Sequence, residues 1–193
     1  MTVFLDYPLI KPFTKLEPNY FPGEELRKII AHQEEAVPLL LEAIRDFAEN
    51  PEGYSEEDGN CLHMVALALL AQCREAALFP VIQDISDRFD PDNWGEETAY
   101  EELICCMPED AMARVIASVL ANDIDKLKAI IVDHGQDIEL RCRALEALKS
   151  CYFEGDIERR DLTGFLSNVF ETFALQHDSR DFCPLWMVLY DLW

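Results

Sequence analysis

From Gly23 onward, apolar residues recur three and four positions apart, which is the spacing of one face of an α-helix. Leu26, Ile29 and Ile30 set a first helix over 24–33. Val37, Leu40, Leu41, Ile44 and Phe47 set a second over 34–50. After a polar loop at 51–59, Asn60 is placed to cap a strongly apolar helix that runs to Gln72. That helix is hydrophobic nearly all round, so it is expected in the middle of the packing, with Leu67, Leu69 and Leu70 buried. The same reading puts helices at 75–89, 96–106, 107–121, 124–133, 137–153 and 156–176, with a last segment beginning near Asp181. Pro38 and Pro80 each fall in the first turn of a helix, where a missing amide costs little. No run alternates apolar and polar residues with β-branched enrichment, so essentially no sheet is expected.

The helices come in pairs. Polar, turn-rich interruptions at 50–60, 90–95 and 133–137 are spaced by roughly 40 residues. Pro38 followed by Leu39, Leu40 and Leu41 has a counterpart 42 positions later in Pro80, Val81 and Ile82, and a weaker third copy lies at 127–131. A helix pair cannot bury its apolar face alone, so a period of this length predicts an all-α chain. The expected form is a short right-handed α-solenoid of stacked helix pairs, HEAT- or armadillo-like. Residues 1–22 stand apart from the 23–193 repeat domain. Pro8, Pro12, Pro18 and Pro22 recur too closely for a helix, and Phe4, Tyr7, Phe13, Tyr20 and Phe21 lie between them. An extended arm is expected there, its aromatics covering one end of the core.

Two stretches carry a family resemblance. The run from Asp137 through Ile, Glu, Leu, Arg141, Cys, Arg143, Ala, Leu, Glu, Ala and Leu148 resembles the second half of a HEAT repeat: an acidic turn, an arginine, then an Ala/Leu helix. The segments 62–75 and 110–119 look like those of an uncharacterised bacterial helical-repeat family, and the likeness spans roughly 22–193. These are packing motifs. The resemblance implies a fold and carries over no activity and no site residue. Some members of that family continue into a cysteine-rich metal-binding segment of the SEC-C type. No such segment occurs in these 193 residues, and the expectation is of an array truncated at its C-terminal end.

Charge narrows the partners. With 38 acidic and 16 basic residues the chain carries a formal charge of -22, which repels phosphate backbones and anionic bilayers, so neither nucleic acid nor membrane is expected. No apolar stretch approaches the roughly 20 residues that span a bilayer, and Asp6 interrupts the first apolar run where a secretory signal would need continuity. Seven cysteines, an odd number lying mostly inside apolar helical patterns, fit reduced buried thiols and a cytoplasmic setting.

The nearest approach to a metal motif is Asp90, Asp92, Gly95 and Glu101, which match four positions of an EF-hand loop. Trp94 stands where an oxygen ligand belongs, and an inter-repeat turn accounts for the same residues. His32, His63, His134 and His177 are scattered, and His63, in the most apolar helix, reads as a core imidazole rather than a ligand. No zincin, nucleophile-elbow, phosphate-loop or dinucleotide motif occurs, and no cofactor or catalytic residue is expected.

The acids are not spread evenly. Residues 34–58 hold nine acids and one base, and 84–110 hold ten acids and one base, so the first two repeats should share an acidic edge. Such an edge keeps a helical array soluble and can also dock a basic peptide or protein, with the field speeding association. Glu56, Glu57, Asp58, Asp92, Glu96 and Glu97 are its candidate contact residues. The functional expectation is a non-catalytic interaction scaffold. The alternatives are an enzyme or metal-dependent module built on carboxylates near 90–101, and a bacterial protein delivered to a host. The sequence leaves the oligomeric state open.

Overall fold

The computed structural model describes residues 3–17, 20–54, 60–88, 99–101, 103 and 111–176. Eight α-helices and no strand occur among them, so the protein is all-α over the described residues. The chain divides into two compact units, Met1–Glu102 and Leu103–Trp193.

In the first unit, α1 (Gly23–Ala31) and α2 (Gln33–Glu49) are separated by one residue. His32 leaves helical geometry (φ -120°, ψ 39°), so its amide closes α1 on the carbonyls of Lys28 and Ile29 while its own carbonyl accepts the amide of Ala36 at 3.0 Å. Ala36, Leu40, Ala43, Ile44 and Phe47 form the buried face of α2. Because α2 starts at Gln33, Pro38 lies inside it rather than in its first turn, and the exposed Glu34 carries the carbonyl that a residue-38 amide would otherwise have used. α3 (Leu62–Gln72) packs on α2, with Leu67, Leu69 and Leu70 buried as its pattern requires. Asn60 stands just outside it, accepting the Leu62 amide at 3.4 Å and donating to the Gly53 carbonyl at 2.7 Å, which ties the loop to the helix start.

α4 (Leu78–Asp87) also packs on α2. It begins three residues later than the pattern predicts. Arg74 takes the left-handed conformation (φ 52°), the Glu75 amide closes back on Leu70, and the Glu75 carboxylate holds the Ala77 amide at 3.0 Å. Pro80 is then the third residue of α4, where no amide is needed. The N-terminal arm is turned rather than extended, with 3-10 segments at Val3–Asp6 and Lys11–Phe13. Ile10 and Phe13 are its buried anchors, whereas Tyr7, Tyr20 and Phe21 are exposed. The prolines tolerate this because a fixed φ suits tight turns as well as extended chain.

In the second unit, α5 (Ala111–Leu120), α6 (Ile124–Val132), α7 (Ile138–Glu154) and α8 (Arg159–Gln176) follow the predicted order. α7 packs on α5, α6 and α8, and its Leu140, Cys142, Ala144, Leu145, Ala147, Leu148 and Cys151 are buried. Both short connections are capped by aspartate. Asp123 accepts the Lys126 amide at 3.1 Å, and Asp137 accepts the amides of Glu139 and Leu140 at 3.0 and 3.1 Å. Gly155, at φ 87°, ends α7 in the left-handed conformation, and the Asp156 amide returns to the Cys151 carbonyl at 2.8 Å. That closure uses up Asp156, which is why α8 starts at Arg159 and not at the predicted 156.

Candidate functional site

Of the residues singled out from sequence, Glu56, Glu57, Asp58, Asp90, Asp92, Glu96 and Glu97 lie outside the described residues. Glu101 is described and half-buried. What the structure does place is the part of the first acidic block that lies on α2.

The apolar residues that bury one face of α2 dictate what the other face must carry. Glu35, Glu42, Asp46 and Glu49 are spaced seven, four and three apart, which puts them within an arc of about 60° on a helix of 3.6 residues per turn. Glu35, Glu42 and Glu49 are exposed and Asp46 is half-buried. Arg45 is the one base in α2, and it reaches Glu42 at 3.7 Å with both side chains about half exposed, a weak and screened pair. The helix therefore carries an anionic stripe about four turns long, with Pro38 and half-buried Leu39 between Glu35 and Glu42. α4 adds Asp84 and Asp87, both exposed, with Arg88 on Asp84 at 2.5 Å.

Two tyrosines hold the stripe. The Tyr7 phenol donates to Glu35, fastening the N-terminal arm to the start of α2, and this bond, with the carboxylate charge, raises the phenol above its ordinary value. The Tyr54 phenol donates to Asp46 Oδ2 at 2.7 Å. Burial raises Tyr54 well above the usual tyrosine range, and the Asp46 bond raises it further. Neither contact was legible from spacing, because both tyrosines lie in turn-rich segments without periodicity.

Behind Asp46 lies an aromatic cluster. His63, on α3, is 0 % exposed. It stacks on Phe47 of α2 with centroids 4.5 Å apart and planes 4° from parallel, and it meets Tyr54 edge-on at 5.6 Å. Phe47 and Tyr54 are themselves edge-to-face at 5.4 Å. Burial pushes His63 down to about 4, so the imidazole is neutral at pH 7 and acts as a flat packing element, as its apolar helix suggested. Tyr54 thus joins two environments, with its ring in the core and its hydroxyl on the acidic stripe.

Burial pushes the Cys142 thiol up to about 12 and raises that of Cys73, so little thiolate is available at Cys142 for nucleophilic or metal chemistry. Among the described residues no three His, Cys, Asp or Glu side chains are grouped to hold a metal ion. Within the same residues no helix is long and apolar enough to cross a membrane. The candidate site is an anionic helix face backed by a buried aromatic cluster.

Residues 10–183 match the family model described as "Protein of unknown function (DUF1186)". No curated protein and no solved structure matches the chain. Since the match takes in α1 through α8 and both units, the chain belongs to the DUF1186 family.

Proposed function

We propose that the protein is a non-catalytic interaction scaffold whose anionic α2 face docks a basic peptide or a basic patch on a protein. The observation that carries this reading is the stripe of Glu35, Glu42, Asp46 and Glu49 against a single base, Arg45, on a helix whose opposite face is locked into the core. Rigidity matters because pre-placed charges lose no side-chain or loop entropy when a partner arrives. Tyr54 fixes Asp46 and Tyr7 fixes Glu35, so two of the four carboxylates are already oriented. The sequence continues the same charge into Glu56, Glu57 and Asp58, and the second acidic block adds Asp92, Glu96 and Glu97.

The same proposal takes the helix pairs as HEAT-like repeats. What supports this is the α6–α7 pair, where Asp137 caps α7 and Arg141 reaches back to α6, the two positions in which the sequence resembles a HEAT repeat. Helical repeats mostly act by presenting stacked surfaces to other proteins, which is an analogy at the level of fold. A reducing cytoplasmic setting completes the reading and rests on the odd cysteine count and on the burial of Cys142 and Cys151 inside an apolar helix face.

The test is capture of partners from lysate on immobilised protein at low and high salt, with the bound proteins identified. Basic proteins that elute between about 0.1 and 0.5 M salt, where the screening length falls from ~10 Å toward a few ångströms, support the proposal. Partners that are acidic, or indifferent to salt, contradict it.

A further inference from the structure

We draw no further inference here: the strongest candidate, the apolar flank of α1 that runs from exposed Phe21, whose ring lies against Gly23, through half-buried Leu26 to exposed Ile30, carries nothing because nothing in the structure shows what covers it.

Discussion

Arg141 Nε donates to the Ile131 carbonyl at 3.1 Å, so a guanidinium from the first turns of α7 closes the C-terminal end of α6. Arg141 is only 1 % exposed, the bulkiest of the fully buried side chains among the described residues. A carbonyl in the last turn of a helix lacks an intrahelical donor and sits at the negative end of the helix dipole, so a buried cation serves it twice. Asp137, four residues earlier, caps α7, and the two residues together fix the α6–α7 pair.

Arg141→Ala should therefore cost about 2–4 kcal/mol, since it removes a charge-assisted bond and leaves a cavity. Arg27→Ala removes an exposed ion pair with Glu24 on α1 and should cost under about 1 kcal/mol. Urea unfolding of both variants decides it. Equal losses would show that Arg141 is an ordinary surface arginine in energetic terms.

The hydrophobic assignment of α3 has its own check. Leu69 is 4 % exposed, and Leu69→Ala should destabilise by about 2–5 kcal/mol. Its neighbour Ala68 is exposed, and Ala68→Ser should stay within about 0.5 kcal/mol of the parent. A loss at Leu69 well under 1 kcal/mol would mean that α3 is not the packing element described.

Most of the helical order was readable because core burial and helical period are the same signal. Five of the seven helices whose preceding residues are described begin within two residues of their expected positions. The departures have local causes that periodicity does not encode. At α4 the cause is Arg74 in a conformation usually left to glycine, and at α8 it is the bond from Asp156 back to Cys151. The arm misled for a related reason: proline spacing excludes helix but does not choose between extended chain and 3-10 turns. As for the site, the acidity of α2 was plain from composition. Its fixing by Tyr7 and Tyr54 was not, because those are contacts over 28 and 8 residues whose partners share no motif.

His63 gives a pH dependence with a definite sign. Its folded value, near 4, lies below the unfolded value of 6.5, so the unfolded chain takes up the proton first. Its contribution to stability is full above about pH 6.5, declines as the pH falls toward 4, and levels off below that. The full decline amounts to about 3 kcal/mol. In His63→Gln the slope of stability between pH 6.5 and 4 should flatten relative to the parent, as read from urea midpoints at several pH values. An unchanged slope would remove His63 as its source.

Tyr54→Phe keeps the ring in the cluster and deletes only the hydroxyl that Asp46 accepts. It should cost about 1–2 kcal/mol, and Asp46→Asn should add little on top of it, because the two changes remove one interaction. Full additivity in the double variant would mean that the Tyr54–Asp46 bond contributes nothing measurable.

The anionic stripe is tested most directly by binding of a fluorescent Lys/Arg-rich peptide to two triple variants of equal charge. Glu35→Gln with Glu42→Gln and Glu49→Gln removes the three exposed carboxylates of the stripe and leaves Asp46 on Tyr54. Glu154→Gln with Glu158→Gln and Asp161→Asn removes the same charge from exposed positions in the second unit. The expected result is affinity at least about tenfold weaker, with a shallower salt dependence, for the α2 variant alone, and an intact helical circular dichroism spectrum for both. Equal weakening by the two triples, or none by either, would contradict a docking role for α2 and leave its carboxylates a matter of solubility.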